Sequence, residues 1–448
     1  MKETMDFGTD KVSELFRRLF IPTVFGMLCL SALTTVDGIF VGHGVGSDGI
    51  AAVNICIPLL LVLQAIGLMA GAGCSVMASI ALAHRKPRSA RAFVTNAMVF
   101  VTLIALIVMM VVFICPDQVA YLLGTSDHLL PMVKDYLIWF APSLLFQMWM
   151  EVALYVIRLD GAPRLAMWCN VVDAVLNIFL DWLFIFPLGM GVKGAAIATS
   201  LSCLGGAVVA MAYLLFFAKS IRLHSLRISG KGVSSFVRNM GEQCKVGFPA
   251  FLGEITMAML FYVGNRVFMQ YLGDDGVGAF GISCYYLPFV FMIGNAIAQS
   301  SQPLISFNYG LGSSERVQSA LRVSLLTAIG CGALPTVFFM ACPRLLVRLF
   351  LDVNTPAAEI AIAGFPYYAI GFVAFVVNLA VIGYYQSIER TALSVFLALL
   401  RGLLFLVPSF VLLPRWLGVE GIWLALSVSE ILTFLVILLS SLRHKGAK

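Results

Sequence analysis

Long apolar runs alternate with short polar or glycine- and proline-containing breaks along almost the whole chain. Each run has roughly the 20 residues that an α-helix needs to cross the hydrocarbon core of a bilayer. The runs lie at residues 20–42, 50–76, 92–115, 132–156, 166–187, 195–218, 248–270, 277–301, 319–342, 360–386, 392–413 and 420–441. The pattern therefore predicts an all-α membrane protein with twelve transmembrane helices.

Composition agrees with this pattern. The chain has 448 residues, of which 60% are hydrophobic and only 12% charged, and its mean hydropathy is +0.97. A water-soluble domain is about 25% charged, and a soluble fold this apolar would aggregate through its exposed surface. The ten cysteines lie mostly singly within apolar runs, without C-x-x-C or metal-ligand spacing. We interpret them as small buried apolar residues and expect no structural metal.

The distribution of basic residues predicts the topology. If the loops alternate between the two sides, 22 of the 29 Lys and Arg residues fall on one side and 5 on the other. The remaining two, Arg266 and Arg401, lie within spans. Because basic loops stay in the cytoplasm, both termini are predicted to be cytoplasmic.

An internal repeat appears when the sequence is shifted by 227 residues. The shift superimposes Pro22 on Pro249, Gly46 on Gly273, Cys115-Pro116 on Cys342-Pro343, and Gly191 on Gly418. Each half holds six spans, so the halves are predicted to be parallel repeats of the kind that bind a transported substrate at their interface. The predicted organisation is a cytoplasmic N-terminal segment 1–19, an N-lobe 20–218, a basic cytoplasmic linker 219–246, a C-lobe 247–441 and a cytoplasmic tail 442–448.

The N-terminal segment allows two interpretations. Its apolar residues are spaced as on one face of a helix: Phe7, Val12, Leu15, Phe16 and Leu19. Such a face predicts a short amphipathic helix on the membrane surface. An unstructured basic tail is the alternative.

A polar stripe interrupts the fifth span. Asn170, Asp173, Asn177 and Asp181 recur at three- and four-residue spacing and so share one helix face. A charge at bilayer depth costs at least about 2.5–3.5 kcal/mol, which makes such residues functional candidates. Oxygen ligands suit hard cations, and a desolvated carboxyl beside another can carry a proton. Asp37 of the first span could complete the cluster. The alternative is that the same groups only join helices by hydrogen bonds.

Other intramembrane charges are few. Glu254 and Arg266 lie twelve residues apart in the seventh span, about 120° around the helix, so each should pair elsewhere or line a cavity. Arg401 with Glu430 or Glu254 would make a structural ion pair. The sequence contains neither G-x-x-x-x-G-K-[ST] nor H-E-x-x-H. We therefore expect no ATP-driven step and no enzymatic activity.

Three segments resemble the multidrug and toxic compound extrusion (MATE) family. They are Asp-Gly-Ile-Phe-Val-Gly at 37–42, Asn-Ile-Phe-Leu-Asp at 177–181 and Gln-Pro-Leu-Ile-Ser-Phe-Asn-Tyr-Gly at 302–310, the last being similar to the DinF/MepA-like branch. The resemblance covers essentially the whole chain. It implies two six-helix lobes around a V-shaped cavity in the bacterial inner membrane. It also implies export of cationic or amphipathic compounds by alternating access, driven by inward H⁺ or Na⁺.

The resemblance also implies a cation site. Carried over by position, the N-lobe site of the family consists of Asp37, Asn177, Asp181 and Thr199. Another branch uses a seventh-span glutamate, which Glu254 resembles, together with a tenth-span aspartate. Residues 360–386 contain no carboxylate and offer only Asn378 and a Tyr-Tyr pair, so the resemblance favours the N-lobe site. Further polar residues expected to line the cavity are Asp173, Asn170, Glu254, Arg266 and Gln302.

We therefore expect a monomeric antiporter for small, cationic molecules that contacts membrane lipid and binds no nucleic acid. It would need no cofactor apart from its coupling ion, H⁺ or Na⁺. A lipid-linked saccharide flippase is the first alternative, since Arg266 and Arg401 could hold a phosphate. A channel is the second, although the few intramembrane charges fit it poorly.

Overall fold

The computed structural model describes residues 5–223, 230–350 and 353–446, and its regular elements are helices. In chain order these are α1 (Val12–Val45), α2 (Ser47–Ala83), α3 (Pro87–Ile114), α4 (Pro116–Leu123), α5 (Leu130–Leu159), α6 (Pro163–Ile185), α7 (Gly191–Ala212), α8 (Gly230–Gly310), α9 (Ser314–Ala341), α10 (Pro343–Arg348), α11 (Pro356–Ala369), α12 (Phe372–Ser387), α13 (Thr391–Leu399) and α14 (Leu406–Gly446). Short π-helical turns extend α7 at Tyr213–Phe217 and α13 at Leu400–Leu404. Several helices begin with proline, whose missing N–H costs nothing in the first turn.

The helices confirm the predicted number of spans. Nine continuous helical stretches of the described residues are long and apolar enough to cross a bilayer. Two of them, Ser234–Gly310 and Thr391–Ser440, contain a break at Gly273 and Gly418, respectively, and each supplies two spans. Helices α11 and α12, bent by 48° relative to each other, together form one further span. The described chain thus provides twelve spans.

The repeat predicted from the sequence is visible in local geometry. Gly46 and Gly273 both break the chain at positive φ, 92° and 63°, between two spans. Gly191 and Gly418 have φ angles of 60° and 62°. These angles lie in the left-handed region that glycine adopts without a steric cost. Glycines 227 residues apart therefore turn the chain in the same way.

The described residues fall into two compact units. The first comprises Met1–Phe251 and Gln302–Val317, and the second comprises Leu252–Ser301 and Gln318–Lys448. The lobe boundaries expected from the sequence remain a prediction. Within the expected linker 219–246, residues 224–229 lie outside the described residues and α8 begins at Gly230. Residues 1–4 and 447–448 of the expected terminal segments also lie outside them.

The N-terminal segment is helical from Val12 onward, as one of the two interpretations predicted. Helix α1 begins at Val12 and continues directly into the first span, and Leu15, Phe16 and Leu19 are buried within the protein. The interpretation as an unstructured tail is therefore wrong for residues 12–19. The apolar face that suggested a surface helix is covered by protein.

Two polar side chains hold the start of this segment in the first unit. Asn308 Nδ2 donates to the carbonyl oxygen of Phe7 at 2.9 Å. Arg316 Nη2 donates to the carbonyl oxygens of Phe7 and Asp10 at 3.0 and 2.6 Å. Arg316 Nε also donates to Asn308 Oδ1 at 2.9 Å, so the two side chains brace each other. Residues distant in sequence thereby fix a segment whose own sequence suggested no partner.

Glycines let α2 and the first part of α8 approach closely within the first unit. A Cβ at Gly73 would overlap the carbonyl oxygen of Gln243, and a Cβ at Gly247 would overlap that of Met69. Small residues at helix crossings are the usual means of close packing in membranes. Gln302 Nε2 adds a hydrogen bond to the carbonyl oxygen of Ala72 at 2.9 Å.

The second unit has an aromatic core. Trp423 is buried and meets Phe268 edge-on, with ring centroids 4.8 Å apart, while Phe268 stacks on Phe280 at 4.6 Å. Gly364 leaves the space that the Trp423 indole occupies, because a Cβ there would overlap the ring. This core is one reason why glycine is found inside a transmembrane helix of this unit.

A buried ion pair joins α14 to the π-helical turn before it. Arg401 Nε and Nη2 donate to Glu430 Oε1 at 2.9 and 2.8 Å, and the two side chains are only 2% and 1% exposed. Asn378 Nδ2 of α12 donates to Glu430 Oε2 at 2.8 Å. Glu430, rather than Glu254, is therefore the partner of Arg401, and the predicted structural ion pair is confirmed.

Candidate cation site

The polar stripe of the fifth span lies on the inner face of α6. Asn170, Asp173, Asn177 and Asp181 are 2%, 8%, 2% and 0% exposed. The opposite face of α6 is apolar and exposed, and carries Trp168, Val175 and Phe179. Such a helix is polar towards its neighbours and apolar outwards, as expected where lipid is the solvent. Helices α1 and α7 pack against α6.

Five of the six side-chain oxygens of the stripe lack a hydrogen-bond donor among the described residues. Oδ1 of Asn170, Asp173 and Asn177 and both carboxyl oxygens of Asp181 are shielded and accept no hydrogen bond from the described residues. Burying a polar group without a partner costs about 1–3 kcal/mol, and more for a charged one. A column of unsatisfied acceptors therefore favours a proton, water or a cation as its partner.

Asp37 of α1 lies next to Asp181, at one end of the polar stripe. Its carboxyl group interacts directly with that of Asp181, and its Oδ1 is shielded without a hydrogen-bond donor. Close packing at Gly26 brings α1 near α6, since a Cβ at Gly26 would lie 3.1 Å from Asn170 Nδ2. Two adjacent carboxylates repel each other when both are ionised. A proton or a cation between the two carboxylates would remove this repulsion.

Thr199 of α7 adds a further oxygen. Its hydroxyl donates to the carbonyl oxygen of Ala195 at 3.0 Å, which leaves the lone pairs of Oγ1 as acceptors. Asn177 Nδ2 lies 3.5 Å from this Oγ1. The structure therefore brings together Asp37, Asn177, Asp181 and Thr199 from three helices. Their side chains supply only oxygen ligands, which is the chemistry that hard cations prefer.

Asp173 and Asn170 lie further along the same face. Asp173 interacts with the side chains of Ser202 and Cys203 on α7. Eight residues separate Asp173 from Asp181, about 12 Å along the helix axis. Asp173 and Asn170 therefore share the polar face of α6 with Asn177 and Asp181, but they lie at a different depth along the helix axis.

Tyr136 is a member of this neighbourhood that the sequence analysis missed. It lies on α5, is buried, and stacks on Phe140 with ring centroids 5.1 Å apart. The charges of Asp37 and Asp181 both act on its hydroxyl group. A tyrosine hydroxyl inside an apolar span was the only sequence signal, and it did not say which helix the ring would face.

The other expected cavity residues have different surroundings. Gln302, in the first unit, uses its amide nitrogen to bind the α2 backbone, while its Oε1 accepts no hydrogen bond from the described residues. Glu254 and Arg266 belong to the second unit. There Glu254 is buried, whereas Arg266 is exposed, with its guanidinium 5.8 Å from the centroid of the Tyr262 ring.

Comparison with known proteins identifies the family of the chain. A family model described as MatE matches residues 22–183 and 249–411, two segments whose first residues are 227 positions apart. The chain belongs to the MatE family. The two matches follow the internal repeat, with one copy of the family's unit in each half.

Curated relatives of this MatE protein extend over nearly the whole chain. A multidrug export protein MepA from Staphylococcus saprophyticus is 25% identical over 423 residues, covering 94% of this chain and 91% of the relative. A MepA from Staphylococcus aureus is 24% identical over 447 residues, covering 97% and 94%. The predicted resemblance to a MepA-like branch is thereby confirmed.

Solved structures share the fold. An outward-facing multidrug resistance MATE family transporter of the MOP superfamily has a TM-score of 0.88 and 20% identity, with 98% of this chain and 97% of that chain covered. The MATE transporter VcmN of Vibrio cholerae, as a mutant, has a TM-score of 0.88 and 19% identity, with 98% of each chain covered. A MOP superfamily transporter from Pyrococcus furiosus has a TM-score of 0.89 and 19% identity, with 100% and 99% covered.

Proposed function

We propose that this MatE-family chain is an antiporter that exports small cationic or amphipathic molecules in exchange for H⁺ or Na⁺. The relatives that cover nearly all of the chain are named multidrug export proteins. The coupling ion is assigned to Asp37, Asn177, Asp181 and Thr199. The observation that supports this assignment is the approach of the Asp37 carboxyl group to that of Asp181, since three of their four oxygens are shielded without a donor among the described residues.

The proposed coupling follows from the charge of the Asp37–Asp181 pair. With the site empty, the two ionised carboxylates repel each other and push α1 away from α6. A proton or Na⁺ replaces this repulsion by attraction and draws the two helices together. Because α1 packs along α6 and forms one side of the first unit, its position changes with the occupancy of the site. Binding of the cation and binding of the exported molecule would then favour different positions of α1.

The available energy is sufficient for this exchange. One monovalent cation moving through about 150 mV supplies roughly 3.5 kcal/mol. At about 1.4 kcal/mol per tenfold change, this supports a concentration gradient of a few hundred-fold for an uncharged exported molecule. A monovalent cation exported in exchange for one entering cation would gain nothing from the voltage and would be driven by the concentration gradient of the coupling ion.

The flippase alternative required Arg266 and Arg401 to bind a phosphate, and Arg401 is not free to do so. Arg401 donates two hydrogen bonds to the carboxylate of Glu430 and is buried. A guanidinium neutralised in this way is a poor ligand for the phosphate of a lipid-linked saccharide. Arg266 alone would have to hold that phosphate.

Transport by the purified protein in proteoliposomes tests the proposal. Efflux of a cationic dye is measured under a pH gradient and, separately, under a sodium gradient. We expect one gradient or both to drive efflux, Asp37→Asn and Asp181→Asn to abolish the coupling, and Asp274→Asn to leave it intact. Asp274 is an exposed carboxylate and so provides a control with the same change of charge. Efflux that ignores both gradients, or that survives Asp37→Asn, would contradict the proposal.

A further inference from the structure

A groove of about 210 Å³ opens on the outer surface of the first unit, away from the polar stripe. It is lined by Thr95, Met98, Val99, Thr102 and Leu103 of α3, Trp149 of α5, Met211 of α7 and Leu223 beyond α7. At 1.5 Å per residue, Thr95 and Thr102 lie about 12 and about 22 Å from the start of α3. On the predicted topology, the groove runs from the cytoplasmic surface to the middle of a hydrocarbon core about 30 Å thick.

The polar atoms in the groove are already paired with one another. Trp149 Nε1 donates to Thr102 Oγ1 at 2.7 Å, and that hydroxyl donates to the carbonyl oxygen of Met98 at 2.6 Å. The Thr95 hydroxyl donates to the carbonyl oxygen of Arg91 at 2.9 Å. The groove therefore presents an apolar surface to its occupant, which suits an acyl chain and not a polar molecule.

Two arginines stand at the mouth of the groove. Arg91 is one helical turn before Thr95, and Arg222 precedes Leu223. Arg91 Nε donates to the carbonyl oxygen of Ser220 at 3.1 Å, while Arg222 donates to those of Ala218 and Phe216 at 2.9 and 3.0 Å. These carbonyls use one and two of the five donors that each guanidinium has. Within the described parts of the chain, no carboxylate forms an ion pair with either arginine.

The segment after α7 holds these arginines in place. Asp160 accepts hydrogen bonds from the Tyr213 hydroxyl at 2.7 Å and from the backbone N–H groups of Lys219 and Ser220 at 2.9 and 3.0 Å. Its carboxylate is thus occupied in fixing the backbone that Arg91 contacts. The net charge at the mouth of the groove is therefore positive, and Lys219, next to Ser220 in the chain, is also exposed.

We propose that this groove binds an anionic phospholipid of the cytoplasmic leaflet, with one acyl chain along α3 and the phosphate at Arg91 and Arg222. Basic pockets at the cytoplasmic ends of membrane helices are suited to acidic headgroups. The site is separate from the transport cluster, and its test requires no transport. Failure of either proposal therefore leaves the other standing.

Quenching of Trp149 fluorescence by brominated lipids tests the site directly. The protein is placed in nanodiscs containing brominated phosphatidylglycerol or brominated phosphatidylcholine, and the Trp149 signal is obtained by subtracting the Trp149→Phe variant. We expect phosphatidylglycerol to half-quench this signal at a mole fraction roughly five- to thirty-fold lower, the preference conferred by one or two cationic side chains at a membrane surface.

Two sets of variants separate the headgroup from the acyl chain. Arg91→Gln with Arg222→Gln should remove the preference, while Arg164→Gln with Arg322→Gln, which loses the same charge from exposed positions, should keep it. Val99→Phe fills the groove and should reduce quenching by both lipids with the arginines intact. If the double arginine variant does not fold, Arg222→Gln alone should still weaken the preference.

Several results would overturn the proposal. Equal quenching of the native protein by the two lipids would indicate ordinary annular lipid. A preference that survives Arg91→Gln with Arg222→Gln, or that disappears equally in the control, would show that these arginines do not form the site.

Discussion

The ion pair between Arg401 and Glu430 allows a quantitative prediction about stability. Both side chains are almost completely buried, and two hydrogen bonds join the guanidinium to one carboxylate oxygen. Removing one member leaves the other as an uncompensated charge, which typically costs 3–5 kcal/mol. Removing both leaves no charge, and the remaining cost is that of lost packing and of the Asn378 hydrogen bond. We therefore expect Arg401→Met and Glu430→Leu each to destabilise the protein by about 3–5 kcal/mol, and the double variant by less than their sum.

Glu430→Gln refines this prediction, because it keeps the shape and removes only the charge. The Gln amide nitrogen would face the Asn378 amide nitrogen, which now donates to Glu430 Oε2 at 2.8 Å. Asn378 Oδ1 has no donor among the described residues, so rotation of its amide would restore this bond. The rotation would also break the hydrogen bond from Asn378 Nδ2 to the carbonyl oxygen of Glu430, now 2.9 Å long. We expect Glu430→Gln to cost less than Glu430→Leu but still to leave Arg401 without a counter-charge.

Reversible unfolding in mixed micelles, followed by tryptophan fluorescence, gives the free energies for a double-mutant cycle. A coupling energy of about 2 kcal/mol or more would agree with the reasoning. Single variants that cost less than about 1 kcal/mol, or costs that simply add, would show that the pair is hydrated or exchangeable in the membrane protein.

Three further predictions concern the first unit. Gly73→Ala should destabilise the first unit by about 1–3 kcal/mol, because the new methyl group overlaps the backbone of Gln243. The control Gly241→Ala lies in open space on a helix and should be neutral or stabilising in the same unfolding assay. Arg316→Ala removes two hydrogen bonds to the N-terminal segment and a third to Asn308. Hydrogen exchange of residues 5–11 should therefore rise well above that in the exposed-arginine control Arg322→Ala; unchanged exchange would show that Asn308 suffices. Thr199→Ala should raise the cation concentration needed for half-maximal efflux roughly tenfold, because it removes one oxygen ligand. Thr199→Ser keeps the hydroxyl and should leave that concentration near its native value. Equal behaviour of the two variants would place Thr199 outside the site.

The hydrophobic runs of the sequence and the glycines between them predicted most of the fold. An apolar run of membrane length can satisfy its backbone only as a helix, so the spans followed directly from hydropathy. The glycines at 46 and 273 marked equivalent turns because few other residues tolerate their φ angles. The edges were less accurate: α1 begins at Val12 instead of residue 20, since the apolar face of residues 12–19 packs on protein.

The candidate site was only partly predictable for a related reason. Spacing alone placed Asn177 and Asp181 on one face of α6, because a single helix fixes that relation. Asp37 was only a possible member of the cluster and Thr199 came from the family resemblance alone, since contacts between helices depend on how the bundle packs. Tyr136 was missed because a buried tyrosine carries no sign of its neighbours. The same limit applies to Asn308 and Arg316, whose partners lie about 300 residues earlier.

The central claim is that the Asp37–Asp181 pair takes up and releases a small cation. Infrared difference spectroscopy of the reconstituted protein, stepped between acidic and neutral pH and between low and high sodium, follows the carboxyl groups directly. We predict a reversible carboxyl signal that responds to one of these steps and is lost in both Asp37→Asn and Asp181→Asn, but kept in Asp274→Asn. A spectrum that is the same in all conditions, or a signal that survives both substitutions, would mean that the pair is a permanently sealed structural contact and not a transport site.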